Sequence, residues 1–261
     1  MSIIGKVDSV WRYPVKSMRG EELDEAFVSY SGIYGDRVFA FRSSASHRGF
    51  PYFTAREQRR LLQYRPRFRY PDKAARPINL VEAESKGANP LLAGLAELVV
   101  DVETPDGKTV AIDEPALIDM LRAEIDSKHT LALMQSQRAM TDCRPLSILS
   151  LQSARQLAEE TGVHVDKRRF RANIYVDLTS AEGFAENELV GRSVRIGPKA
   201  VIAILERDSR CVIITLDPDT GEQAPAILKK VAQAHDGMAG VYGAVLVEGM
   251  LHKGDPVELL D

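Results

Sequence analysis

The sequence predicts a β-rich α+β fold in two closely packed parts. Most apolar residues fall in short runs bounded by turn residues, as on either side of Pro105-Asp106-Gly107, and this pattern is typical of strands and hairpins. Few stretches have the spacing of an amphipathic helix, and residues 151–161 are the clearest. No Gly/Ser-rich linker divides the chain, so we expect the two parts to pack together and place their boundary near residue 120.

Composition excludes several function classes. The 261 residues are 44% hydrophobic and 27% charged, with a formal net charge of −3, which is ordinary for a globular protein. The balance gives no reason to expect nucleic acid or an anionic membrane surface as partner. No run of about 18 apolar residues occurs, so no membrane span is expected. Two cysteines and no secretory signal at the N-terminus predict a reducing compartment, the cytoplasm.

The first part opens with a strand over residues 3–11. Lys16 and Ser17 follow in a loop, where an ammonium and a hydroxyl are either solvated or presented to an anion. Arg37 precedes a strand over residues 38–41 and is either a solvated turn residue or a fork-shaped donor suited to phosphate. The remaining predicted elements are a short helix at 55–64, loops around short strands at 65–90, a hairpin at 95–112 and a short helix at 115–123.

The second part alternates strands and helices. Its clearest helix, residues 151–161, has Ser150 as a good N-cap and Gly162 as its stop. The other predicted elements are strands at 131–134, 146–150, 173–176 and 241–251, two strands around Gly197-Pro198 and a helix at 225–235. Arg171 and Asn173 at strand spacing would point to one face, which suits a polar pocket wall.

Residues 206–221, ERDSRCVIITLDPDTG, contain the chemistry that needs most explanation. Cys211 follows a charged stretch and precedes an apolar run, residues 212–214, that we interpret as a short buried strand. Flanking arginines favour a thiolate, which can ligate a metal or act as a nucleophile. The alternative is a thiol packed as a small hydrophobe. The same packed interpretation is preferred for Cys143, and Tyr242 is either a pocket residue or a packed aromatic.

Five segments resemble MOSC domains, the molybdenum cofactor sulfurase C-terminal superfamily, in the same order and across nearly the whole chain. The similarity is greatest to two-part members that resemble the mitochondrial amidoxime-reducing component. The segments are YPVKS at 13–17, GDRVFAF at 35–41, FRANI at 170–174, SRC with DPDTG at 209–221 and GDPV at 254–257. The resemblance implies an N-terminal β-barrel-like domain, residues 1–120, packed on a MOSC β-barrel with flanking helices, residues 121–261. Thr54-Ala55-Arg56 also matches the family and is interpreted as structural.

The resemblance further implies a molybdenum-dependent oxidoreductase that reduces small N-hydroxylated substrates. The cofactor would be molybdenum held by a pterin with a dithiolene and a phosphate, and Cys211 would be both the metal ligand and the catalytic residue. The residues implied to bind the cofactor are Lys16, Ser17, Arg37, Arg171, Asn173, Ser209, Arg210 and Tyr242. The loop of residues 142–147 would border this pocket. No C-x4-C-x2-C ferredoxin pattern is present, so electrons are expected from a separate protein.

Other functions stay open at this point. The chain could handle sulfur or the molybdenum cofactor, with Cys211 as a persulfide or holding site and no organic substrate. Pyridoxal phosphate ranks below both, since Lys16 is the one attractive Schiff-base lysine. No H-E-x-x-H, C-x-x-C, G-x-G-x-x-G or Walker pattern supports a zinc or nucleotide site. The substrate's identity and the oligomeric state are left undetermined.

Overall fold

The computed structural model describes residues 2–46, 49–123, 125 and 129–260. Within these residues the four helices are α1 (Leu80–Lys86), α2 (Pro115–Arg122), α3 (Leu151–Thr161) and α4 (Pro225–Ala234). The strands are β1 (Ser2–Arg12), β2 (Glu21–Leu23), β3 (Glu25–Ser29), β4 (Gly32–Ile33), β5 (Phe39–Ser43), β6 (Arg65–Phe68), β7 (Val100–Glu103), β8 (Thr109–Ala111), β9 (Leu131–Gln135), β10 (Leu146–Ser150), β11 (Ile174–Leu178), β12 (Ser193–Ile196), β13 (Ala200–Ser209), β14 (Met238–Val247), β15 (Gly249–His252) and β16 (Pro256–Leu260). This content confirms the prediction of a β-rich α+β fold.

Seven strands close into a β-barrel, in the order β1-β11-β10-β14-β13-β12-β16. The barrel closes because β1 pairs antiparallel with both β11 and β16. Alternate residues of each strand point inward and are fully buried, among them Val10, Ile148, Ile174 and Ile202. Pairing on both sides of β1 leaves the barrel without a free edge, and the barrel supports the loops at its ends.

Three smaller sheets surround a second apolar core. They are β4-β3-β15, β5-β9 and β6-β7-β8, and aromatic side chains such as Phe39, Phe41 and Phe68 fill the space between them. The predicted hairpin is confirmed as β7 and β8. Strand pairing crosses the predicted boundary near residue 120, because β1 belongs to the barrel and β9 pairs with β5. The boundary itself stays a prediction.

Helix α3 has the predicted bounds, and its ends show why. The Ser150 side chain accepts a hydrogen bond from the Ser153 amide, and Gly162 takes a left-handed conformation at the C-terminus. Helices α3 and α4 pack beside the barrel around Leu157, Ile227 and Val231. None of the described helices is long and apolar enough to cross a membrane.

The predicted strand after Cys211 is wrong. Residues Val212–Thr215 form a single 3-10 turn, in which the Thr215 hydroxyl donates to the Val212 carbonyl at 2.7 Å. A short apolar run does not distinguish a strand from a buried turn, and here Ile214 packs into the core of α3 and α4.

Two other elements also differ from the prediction. The predicted strand over 241–251 is two strands, β14 and β15. Helix α1, which the sequence analysis assigned to loops, was missed.

Candidate functional site

One cavity of about 480 Å³ lies where the end of the barrel meets the small sheets. All nine residues predicted for the site line it, although they come from five separate stretches of the chain. They are Lys16, Ser17, Arg37, Arg171, Asn173, Ser209, Arg210, Cys211 and Tyr242. The structure therefore brings the predicted residues together in one cavity. They differ in the partners that each already has within the protein.

Cys211 is held at the end of the long strand β13. The preceding residue, Arg210, donates its amide to the Gly237 carbonyl at 2.9 Å, which fixes the loop before the 3-10 turn begins. The Cys211 side chain is partly exposed to the cavity. Its Sγ accepts a hydrogen bond from Arg56 Nη2 at 3.4 Å. The thiol is thus accessible, positioned by the barrel and adjacent to a cation.

Arg56 is a residue of the candidate site that the sequence analysis missed. It was interpreted as structural, yet its guanidinium contacts Cys211 and also pairs with Asp142 at 3.1 Å. Its guanidinium lies 5.0 Å from the ring centroid of Phe50, which also lines the cavity. The match to the family's T-A-R segment was the signal that could have identified it.

Asp142 connects Arg56 to a buried lysine. Lys16, only 5% exposed, pairs with the Asp142 carboxylate and donates to the Met140 carbonyl at 2.8 Å. Burial lowers the pKa of Lys16 to about 8, although Asp142 opposes the shift. Burial also acts against ionisation of Asp142, but the Lys16 ammonium holds the pKa of this carboxyl below its ordinary value. The result is a continuous polar network from Lys16 through Asp142 and Arg56 to Cys211.

Arg37 is already neutralised by the protein. It pairs with Asp36, whose side chain is fully buried, and it donates to the Arg171 carbonyl at 3.1 Å. Burial opposes its charge, but the Asp36 carboxylate raises the pKa of Arg37 above its ordinary value. Its guanidinium lies 4.7 Å from the ring centroid of Tyr13. Arg37 therefore stabilises the cavity wall whatever else it binds.

Arg171 has no such partner. Among the described residues its side chain makes no hydrogen bond or ion pair, and its Nη2 atom is buried without a hydrogen-bond partner. Its guanidinium lies over the Tyr13 ring, 4.3 Å from the ring centroid. Burial lowers the pKa of Arg171 to about 10. A desolvated cation without a counter-charge is costly, and this arrangement is typical of a site that binds an anion.

The backbone is strained at the same cavity. Ser17, Arg37 and Arg171 are three of the five non-glycine residues with positive φ in the described chain, with values of 66°, 47° and 52°. Such conformations cost on the order of 1–3 kcal/mol each and cluster at functional sites. For Arg171 this corrects the expected strand spacing with Asn173, because a left-handed residue ends that alternation before β11 begins.

Asp208 and Arg210 form a buried pair in the cavity wall. Their closest atoms are 2.8 Å apart, and Asp208 also accepts from the Ser147 hydroxyl at 2.7 Å. Arg210 donates to the carbonyls of Ala239 and Phe170 at 2.7 and 2.9 Å, so most of its donors are used within the protein. The Asp208 Oδ1 atom is buried and lacks a hydrogen-bond partner, and burial raises the pKa of this carboxyl. A ligand N–H would satisfy it.

The other predicted residues differ in whether their polar side-chain atoms are already hydrogen-bonded within the protein. The Asn173 amide bridges the backbones of Ser147 and Trp11, at 3.3 Å to each, so it joins strands. The hydroxyls of Ser17 and Ser209 make no side-chain hydrogen bond among the described residues and are available to a ligand. Tyr242 also lines the cavity, where burial raises the pKa of its hydroxyl.

Cys143 does not behave as the packed thiol that was predicted. It is exposed at the cavity edge, 3.4 Å from Glu206 Oε1. Partial burial and this carboxylate raise the pKa of the Cys143 thiol. Glu206 also holds Arg144 at 2.7 Å. The two cysteines thus share one cavity but have opposite neighbours, a carboxylate beside Cys143 and a guanidinium beside Cys211.

The donor set does not form a protein-only metal site. In the part of the chain that the structure describes, no three His, Cys, Asp or Glu side chains are grouped so as to hold an ion. Cys211 would give a metal one thiolate ligand, and the rest of the coordination would have to come with the metal. The unpaired Arg171, the free hydroxyls and the partnerless Asp208 oxygen fit a metal-carrying organic ligand that has both an anionic group and ring N–H donors.

Two family models and a curated protein match this chain. Residues 135–258 match the MOSC domain, and residues 4–97 match the MOSC N-terminal beta barrel domain. The mitochondrial amidoxime reducing component 2 of Macaca fascicularis is 26% identical over 296 residues, covering 97% of this chain and 83% of that protein.

Solved structures with lower identity are also similar. The YUAD protein from Bacillus subtilis is 16% identical, with a TM-score of 0.48 over 98% of this chain and 96% of that one. YiiM from Geobacillus stearothermophilus is 19% identical, with a TM-score of 0.36 over 45% of this chain and 55% of that one. The two domain matches, by contrast, together span most of the chain in the expected order. The chain belongs to the MOSC-domain proteins that carry an N-terminal MOSC β-barrel domain.

Proposed function

We propose that this protein binds a molybdenum cofactor in the 480 Å³ cavity and reduces N-hydroxylated compounds, with Cys211 as a ligand of the metal. The observation that carries the proposal is the pairing, in one cavity, of an accessible thiol with a buried arginine that lacks a counter-charge. MOSC domains are associated with the molybdenum cofactor, and the relative from Macaca fascicularis is named as an amidoxime reducing component. Both support the same reaction class.

Each of several cavity residues would contact a different part of the cofactor. Arg171 would hold the phosphate, since its donors are free and its charge is uncompensated. Ser17 and Ser209 would add hydroxyl donors, and Asp208 Oδ1 would accept from a ring N–H. Cys211 would add one thiolate to the metal. When bound, the cofactor supplies the two-electron redox chemistry, which no side chain of the cavity provides.

The network around Cys211 would serve the substrate. Removing oxygen from an N–OH group consumes two electrons and two protons and releases water. Lys16, with a pKa of about 8, holds a proton at neutral pH and shares it with Asp142 at the cavity wall. Arg56 presents its guanidinium beside Cys211, where it can orient the substrate oxygen. The electrons would come from a separate donor protein.

Metal content tests the proposal directly. Protein purified from a host that makes the molybdenum cofactor should contain up to about one molybdenum per chain, because the cavity supplies anion, ring and thiolate contacts together. Elemental analysis and extraction of the pterin measure this. Molybdenum at background, with zinc or iron near one per chain, would contradict the proposal. Bound cofactor in a protein that reduces no N-hydroxylated compound would favour the carrier function instead.

Changing Arg56 to Gln should lower turnover without loss of cofactor. The variant removes a charge-assisted contact beside Cys211, and we expect a drop in kcat/KM of about tenfold or more. The matched control is Arg144→Gln, which lines the same cavity but pairs with Glu206. Molybdenum content should be unchanged in both. Equal activity of the two variants would show that Arg56 has no role in the reaction.

A further inference from the structure

A second cavity, of about 320 Å³, shares no lining residue with the main one. About half of its wall is apolar and includes the buried side chains of Ile33, Val38 and Leu98, and the other half is polar. A cavity of this size that combines apolar side chains with polar groups can hold a small molecule. Nothing in the proposed reduction uses it.

Exposed apolar side chains lie on or near one side of this cavity. Leu92, which lines the cavity, is 39% exposed, and its neighbour Leu91 is 58% exposed. Ile78, whose amide bonds to the Leu91 carbonyl, is 75% exposed. Exposed apolar side chains of this size beside a cavity are typical of a binding surface.

One cation at the cavity has no partner. Arg138 lines the cavity, is exposed, and makes no side-chain hydrogen bond or ion pair among the residues that the structure describes. The acidic residue in the wall, Asp36, is already neutralised, because it pairs with Arg37 and accepts from the Tyr13 amide at 2.8 Å. The free charge of the cavity is therefore positive, and a guanidinium suits a carboxylate in bidentate contact.

We propose that the second cavity binds a monocarboxylate with an apolar body, its chain among Ile33, Val38 and Leu98 and its carboxylate on Arg138. Two chain segments run from this cavity to the main one. Asp36 lines the second cavity and its neighbour Arg37 the first, while residues 137–139 line the second and residues 141–144 the first. A ligand here would therefore lie next to the backbone that positions Arg37 and Asp142.

Octanoate is a suitable probe, and calorimetry on the cofactor-free protein measures its binding. The wild type should bind octanoate at least about tenfold more tightly than octan-1-ol, which has the same chain without the charge; tenfold corresponds to ~1.4 kcal/mol. Arg138→Gln should weaken octanoate binding by about tenfold and leave octanol binding unchanged. Arg42→Gln, an exposed arginine away from this cavity, is the matched control and should bind as wild type does.

Ala139→Phe tests the position, because a ring at this half-buried wall residue would fill the cavity. It should abolish octanoate binding while circular dichroism and the melting temperature report an intact fold. Arg171→Gln should bind octanoate as wild type does; loss there instead would place the ligand in the main cavity and overturn the proposal. Absence of binding at millimolar octanoate, or full binding by both Arg138→Gln and Ala139→Phe, would also overturn it. No outcome depends on molybdenum, so the reductase proposal stands or fails separately.

Discussion

Replacing Cys211 with serine is expected to abolish amidoxime reduction while most of the pterin stays bound. The contacts proposed for the pterin are on Arg171, Ser17 and Asp208, and none of them passes through the Cys211 sulfur. Serine is a harder donor than a thiolate, so the electronic state of the metal changes and turnover should fall by orders of magnitude. The fold should survive, because among the described residues the thiol makes one side-chain hydrogen bond, with Arg56.

The assay uses cofactor-loaded protein, a simple amidoxime and an artificial electron donor, and pterin content is measured on the same sample. Cys143→Ser is the matched control, since it removes the other thiol of the same cavity, one that lies beside a carboxylate. It should remain active. Full activity of Cys211→Ser would remove the thiolate from the mechanism. An inert wild type that releases sulfide from Cys211 on reduction would favour the sulfur-carrier alternative.

The sequence predicted which residues meet in the cavity better than it predicted what each does there. Arg171 and Asn173 were grouped on strand spacing, yet Arg171 is left-handed and Asn173 bridges two backbones. Lys16, Arg37 and Arg210 were treated alike as cations for a ligand. In the structure Lys16 pairs with Asp142, Arg37 with Asp36 and Arg210 with Asp208. Which carboxylate each cation meets depends on the fold and not on the local sequence.

The regular elements were predictable where local signals were strong. Helix α3 has a serine cap and a glycine stop, and the β7–β8 hairpin has a Pro-Asp-Gly turn. The turn after Cys211 was not predictable from local signals, because residues 212–214 would be apolar both in a buried strand and in a buried 3-10 turn. Packing of Ile214 against α4 decides between the two conformations. Arg56 was missed for a related reason, since its partner Cys211 is more than 150 residues away in the chain.

Replacing Arg171 with glutamine should separate cofactor retention from stability. The glutamine keeps polar atoms but removes the charge that we assign to the phosphate, so retention should fall by roughly ten- to 150-fold, as expected for the loss of a charged hydrogen bond of about 1.5–3 kcal/mol. The cofactor-free protein should become more stable. Burial lowers the pKa of Arg171 to about 10, below its ordinary value, which means that folding disfavours the charged form that is present at neutral pH. A gain of about 1 kcal/mol would raise the melting temperature by about 2–4 °C.

Arg37→Gln is the contrasting control for Arg171→Gln, because Arg37 lines the same cavity but neutralises the buried Asp36. Its removal leaves an unpaired carboxylate in the interior, and such a loss costs about 3–5 kcal/mol. We therefore expect Arg37→Gln to lower the melting temperature of the cofactor-free protein and Arg171→Gln to raise it. Melting curves of both variants without cofactor, and pterin content after purification from a competent host, measure the two effects. If Arg171→Gln retains cofactor as wild type does, or melts at a lower temperature without it, then Arg171 is a structural residue and the anion site lies elsewhere in the cavity.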